Sequence, residues 1–552
     1  MTLQLAPSAP HPVLSIADVD GVSVNGLRVI GHTSLQRAMA VEVVGGGNVT
    51  LQSLTVRGGV RIGGGVRHTL TRSDVSNAHG AAGGTCIWFH NAGDAMSLSR
   101  SDHVISHSEV HDCRGQGVEW PSSSWPCVPK KLKPGQHCYP DPDPNATGSG
   151  IYLAQTVGVN VTHNYVHDVN YHGVHLEARL SRSTKHSWPG TGAQTPSALN
   201  TIALNKIQDW MQCTPTNTSK GPAGCRTGAD GGCVYFFTYL WSHGQKVINN
   251  LCHQSRPDLW PVGKVLYLDG TSSGIETIGN IGWNVTGSLI DNNDGHDNHH
   301  FGNIGIDGSH IGSLTDSNFW GSKGNFDFGG GYHCTNHYGK NVEHSGADGG
   351  LNSSESMVLV GSYFDSPAWR AAFPEIQTWW NKTTWAAPNG PTSCDPHDQG
   401  MDCCMFPTGT FANYSIMINV PGGSTGWGGR CAHNESMYCS WQNMSADYCG
   451  DTKPGHAGPG RAFDDPIGCW PNAANFQVVG KQKLYTADPG FVDMAGGNFA
   501  LRPDARIFTD FPDFPPIPFA QIGPQPASQY EDPRPHPLLP QQPTVTYLGV
   551  GG

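Results

Sequence analysis

NVTHNYVHD (160–168), NTIALNKIQD (200–209), KVINNLCHQ (246–254) and ETIGNIGWN (276–284) are versions of one pattern. Apolar residues alternate over a short run, an Asn, Ser or His follows, and a second short alternation begins. NVTLQSLTV (48–56) and HVISHSEVHD (103–112) repeat it upstream. Period-two alternation means strands with one buried face. Small-residue turns such as GGGVR, GSGIYL and NYHGVHL separate the runs, and helical periodicity is nearly absent before residue 365.

Strands between Gly and Asn turns suit a sandwich, a propeller or a solenoid. The polar corner favours the solenoid. In parallel coils each Asn stacks beneath the next, so side-chain amides bond along the axis while apolar faces fill the centre. Corner spacings are uneven: 56 residues from Asp112 to Asp168, 41 from Asp168 to Asp209 and 23 from Asn284 to Asp307. Coils of a little over 20 residues with variable loops fit this, whereas a propeller needs more even blades. The expected fold is all-β, a right-handed parallel β-helix with a cysteine-rich loop insertion near the C-terminus. Coils are expected over 1–312, with corners aligned from about residue 20 to 310. Residues 313–480 read as the last coils with a disulfide-rich insertion and one helix at 366–381. Residues 481–523 read as closing strands, and 524–552 as a Pro-rich tail.

Composition narrows the partners. The net charge is −12 with 32 Lys plus Arg, which excludes a partner needing extensive phosphate neutralisation, so no nucleic acid is expected. The longest apolar run falls short of 18 residues, so no membrane span is expected. Sixteen cysteines, eight of them between Cys334 and Cys469, and ten Asn-x-Ser/Thr sites from Asn48 to Asn443 indicate a secreted or extracellular glycoprotein. The start, MTLQLAPSAPHPVLSI, carries no signal-peptide pattern, so that reading expects residues preceding this chain. About twenty residues before the first clear strand are also few for capping a solenoid's open end. Most cysteines of the insertion are expected to bond within it.

TGADGGCVYFFTYLWSHGQKVINNLCHQ, VLYLDGTSSGIETIGNIGWN and DNHHFGNIGID follow in an order that resembles right-handed parallel β-helix carbohydrate enzymes related to glycoside hydrolase family 141. YVHDVNYHGVHL upstream, and FDSPAWRAAFPEI and ADPGFVDMAGGNFALRPDA downstream, extend the resemblance from about residue 20 to 523. Two positions depart from it: Gly-Gly-Cys-Val-Tyr replaces Ala-Gly-Ala-Ile-Tyr at 231–235, and Gly270 replaces the second Asp of an Asp-Asp pair. The resemblance implies hydrolysis of a fucose- or xylose-containing polysaccharide.

Glycosidic cleavage needs two carboxyl groups flanking the bond. Asp230 and Asp269, both placed by the resemblance, are the expected catalytic pair, although Asp-Gly is equally a turn signature. His172, His175 and Glu177 in YHGVHLEAR are expected to bind substrate, unless they form a solvated strand face. Tyr239, Trp241, Trp260 and Tyr267 are expected at a glycan rim or in the core. GTSSG (270–274) lacks a strand–turn–helix setting for a nucleophilic serine. GHDNHH (295–300) reads as a polar loop, and the His-Asp pairs at 111–112 and 167–168 as corners. No metal or cofactor is expected. Two other functions fit the sequence. A polysaccharide lyase or epimerase would take Arg179 or Lys264 as its basic residue. A non-catalytic glycan-binding or structural glycoprotein would follow from loss of the second Asp at Gly270. Oligomeric state is not encoded in any motif.

Overall fold

The computed structural model describes residues 2–4, 12–31, 39–77, 84–113, 148–178, 196–211, 231–238, 242–254, 264–269, 272–285, 288–293, 297–307, 310–315, 363–379, 410–413, 416–418, 427–431, 434–440, 476–478 and 483–525. They form a right-handed parallel β-helix. Each coil gives one strand to each of three sheets, so neighbours within a sheet come from successive coils, except that Asn434–Ser440 pairs antiparallel with Trp427–Cys431 at the end of the first sheet. One coil runs through Ile151–Thr156 in the first sheet, Asn160–Thr162 in the second and Tyr165–Val169 in the third. The next runs through Val174–Glu177, Thr201–Ala203 and Lys206–Gln208, paired in parallel with the strands before.

The sequence pattern explains the register. Inward positions are Val, Ile and Leu, and Val110, Val166 and Ile207 stack on successive rungs of the third sheet with no exposure. A one-residue slip would turn every apolar side chain outward, so the alternation holds the register. Two disulfides, Cys86–Cys113 and Cys233–Cys252, lie within this core and join the start of the first sheet to the third. The expected disulfides between 334 and 469 lie outside the described residues.

Between the second and third sheets the chain turns in two residues on every coil from Ser23–Asn25 to His299–Phe301. The first is left-handed: Gly26, Ser53, Arg72, His107, His163, Leu204, Asn249, Gly279 and Gly302 all have φ between 49° and 66°. The second points inward and builds the expected ladder. Backbone N–H groups of Ser108, Asn164, Asn205, Asn250 and Asn280 donate to Oδ1 of the Asn on the next coil at 3.0–3.1 Å.

The two corners flanking the first sheet vary in length. Eleven residues or fewer join most strands there, but 37 lie between Cys113 and Ile151, 19 between Glu177 and Ser197, 23 between Gln208 and Gly232, 94 between Thr315 and Thr410, and 35 between Ser440 and Phe476. Excursions therefore leave and rejoin the coil beside the first sheet. Part of the longest returns to the solenoid. Pro367–Ala372 is a helix capped by Ser366, and Trp369 Nε1 donates to Ala95 O at 2.7 Å. The helix expected over 366–381 is split, because Phe373 precedes Pro374 and adopts φ −133° before a second turn at Ile376–Trp379. At the C-terminal end the hairpin Phe491–Asp493/Asn498–Leu501 and the helix Arg506–Asp510 pack Phe491, Phe499, Ile507 and Phe511 against Ile281, Ile304 and Ile306.

Candidate active site on the first sheet

Outward positions of the first sheet carry side chains unusual for a solvent-facing strand. Reading along the axis, one column is Glu42, Arg61, Trp88, Tyr152, His175, Tyr235, Tyr267 and Asp291. The adjacent column, two residues on, includes His90, Ala154, Glu177, Phe237 and Asp269. Successive rungs lie about 4.8 Å apart, so such columns offer repeated contacts along an extended chain.

Rings dominate the first column. Tyr152 and His175 have centroids 4.7 Å apart, His175 and Tyr235 5.0 Å, and Tyr235 and Tyr267 5.2 Å. His172, at the turn entering Val174–Glu177, lies parallel to the Tyr235 ring at 3.9 Å with an interplanar angle of 5°. Gly232 N donates to His172 Nδ1 at 3.3 Å, which places that ring's proton on Nε2. Burial, with His175 beside it, holds the His172 imidazole well below its ordinary pKa, so it is neutral.

Carboxylates punctuate the rings. The Tyr152 hydroxyl donates to Glu177 Oε2, and His175 Nε2 stands 3.7 Å from the same oxygen. The Tyr235 hydroxyl donates to Asp269 Oδ2 at 2.8 Å, reaching diagonally to the following rung. Lys264 Nζ contacts Asp291 Oδ2 at 2.5 Å and lies 3.3 Å from the centre of the Tyr267 ring. Upstream, Arg61 pairs with Glu42 at 2.8 Å and donates from Nε to His90 Nε2, also at 2.8 Å.

His175 and Glu177 share a face, as alternation requires, but that face is not solvated. Both are fully buried, Tyr235 and Tyr267 nearly so, and Asp269 is half-buried. The structure thus gathers His172, His175, Glu177, Tyr267 and Asp269 on one surface. Asp230, Tyr239, Trp241 and Trp260 lie outside the described residues, as does Arg179. The sequence reading passed over Tyr152, Tyr235 and Asp291, although each shares the outward parity of a residue it selected.

The remaining polar motifs lie elsewhere. His111 contacts Asp112 and Asp74, and His167 contacts Asp168 and Glu109, all on the outer face of the third sheet. Asp112 and Asp168 are left-handed corner residues, φ 50° and 53°. From GHDNHH, Asp297 Oδ2 stands 3.7 Å from the buried His243, and His300 turns into the core to meet Thr277 Oγ1 at 2.9 Å.

No protein family matches the chain, and no curated protein does so either. Solved structures overlap it in part. One described as a glycoside hydrolase shares 13% identity over 50% of this chain and 38% of its own, with a TM-score of 0.26. A DFA-IIIase from Arthrobacter chlorophenolicus A6, crystallised with GF2, shares 13% over 53% of each chain, TM-score 0.25. A PL6 alginate lyase in complex with a trisaccharide shares 11% over 55% of this chain and 54% of its own, TM-score 0.26. The overlaps thus span about half or less of those proteins' lengths.

Proposed function

We propose that this protein is a secreted polysaccharide-processing enzyme, a glycoside hydrolase, working on the outer face of the first sheet with Asp269 as one of its two carboxyl groups. The observation that carries the reading is the setting of Asp269. It is a half-buried carboxylate oriented by a phenol hydroxyl, at the edge of a close-packed group of rings, and beside the corners where the chain between first-sheet strands is longest. Asp230 remains the expected partner by resemblance. Glu177 offers a second carboxyl in the same column, two rungs from Asp269, a backbone separation of about 10 Å. Inverting cleavage needs roughly 6.5–9.5 Å between carboxyl groups, which side chains leaning along the axis can supply.

Charge favours a neutral glycan such as one containing fucose or xylose. Arg61 and Lys264 on this face each already face a carboxylate. A uronate lyase needs a cation to neutralise the substrate carboxylate and a base to take the proton. Lys264 is placed on the right face for that second reading, but would first have to leave Asp291. The two core disulfides support the secreted assignment.

Incubation with a panel of neutral and uronate polysaccharides tests this. Reducing ends should form without unsaturated products, and Asp269→Asn should lower kcat by on the order of a thousandfold or more. An unsaturated product would establish the lyase. Full activity in Asp269→Asn would remove Asp269 from the chemistry.

A further inference from the structure

We infer that Tyr235 is the positioning residue for Asp269, and that His172 is the plate holding the Tyr235 ring in place. This rests on the reading of Asp269 as a reacting carboxyl. A carboxylate at a strand end can rotate about two bonds, and misplacement by 1 Å can cost on the order of a hundredfold in rate. The Tyr235 hydroxyl removes that freedom by donating to Oδ2 at 2.8 Å.

The phenol can fix Asp269 only if it is itself fixed. His172 lies flat on one ring face at 3.9 Å, while the rings of His175 and Tyr267 meet it at 65° and 66°. The plate is secured in turn by the Gly232 N–H, at the start of the strand that carries Tyr235. Gly232 suits this packing, since a Cβ there would sit 3.2 Å from Tyr267 Cβ and 3.4 Å from Tyr235 Cβ. His172 sits fully buried and neutral, and its Nε2–H has no hydrogen-bond partner among the described residues. A neutral ring already accepting at Nδ1 suits a stacking role better than proton exchange. His172 thereby moves from the substrate-binding role expected from sequence to one exerted through Tyr235.

Tyr235→Phe keeps the ring stack and deletes the hydroxyl. It should lower kcat by about a hundredfold and leave KM within about twofold. Its crystal structure should show the Asp269 carboxylate turned from its parent direction. His172→Phe, which keeps a plate, should retain most of kcat, whereas His172→Ala should lose about tenfold. An unmoved carboxylate in Tyr235→Phe overturns the inference whatever the activity, and so does parental kcat. Equal losses in His172→Phe and His172→Ala overturn the plate. A parent inert on every glycan removes the hydrolase reading, while the carboxylate's direction still decides whether Tyr235 positions Asp269.

Discussion

Asn205 shows how much one side chain settles in this molecule. Its Oδ1 accepts from both Asn164 N and Asn164 Nδ2, and its own Nδ2 donates to Val161 O and Asn250 Oδ1. All these groups are buried, among side chains that are mainly apolar. Leaving a buried polar group unpaired costs about 1–3 kcal/mol. Asn205→Leu should therefore destabilise the protein by ~2–4 kcal/mol, read by denaturant unfolding. A loss below about 1 kcal/mol would mean that the ladder contributes little beyond shape. The ladder was legible in the sequence because every Asn recurs at the same point of the alternation. Tyr235 was not legible in this way. It lies inside an aromatic run, VYFF, where ring type says core, and its hydroxyl meets Asp269 only because a neighbouring rung brings the two together.

Among the elements, the C-terminal hairpin and helix have a different task from the coils. Ile281, Ile304 and Ile306 point out from the third sheet and would be exposed without Phe491, Phe499, Ile507 and Phe511. Phe499 is central, meeting Trp283, Phe491 and Phe519 edge-on. Phe499→Ala should cost ~3–5 kcal/mol. Solenoid coils interact chiefly with their neighbours, so the damage should remain local. Hydrogen exchange should show lost protection from Phe491 to Gln521 and near-parental protection around Val166. Uniform loss along the chain would contradict the view of this segment as a separable cover. The sequence marked it as closing structure, but gave no sign of which sheet it covers. That depends on outward isoleucines at rungs where upstream coils carry His167 and Gln208.

Over the whole molecule, buried histidines make stability depend on acidity. Burial pushes His90 and His300 down to about 3, and His103 and His107 to about 4. An unfolded histidine titrates near 6.5. Between those values the unfolded chain binds more protons than the folded one, so stability falls as pH falls. The contribution is full above about pH 6.5 and is lost progressively toward pH 3–4. At pH 5, His90 and His300 should each contribute ~2 kcal/mol less than at neutrality. Thermal midpoints should start to drop below about pH 6.5, above the carboxylate range. His300→Leu should flatten the curve, since Asn303 Nδ2 still donates to Thr277 Oγ1 in its absence. A midpoint constant from pH 7 to 5 would show these rings to be less secluded than their packing indicates.

The sequence by itself determined the parallel β-helix, the inward apolar faces and the Asn corners. These follow from period-two alternation and from polar residues at a fixed point within it, both local in the chain. It also placed His175 and Glu177 on one face, because parity alone decides that. Only the tertiary structure decided that this face is buried, that Tyr235 reaches Asp269, and that Lys264 is held by Asp291. The physical reason is rung registry. A contact between coils depends on how many residues each excursion inserts before the strand returns, and neither alternation nor residue type records that number as a neighbour.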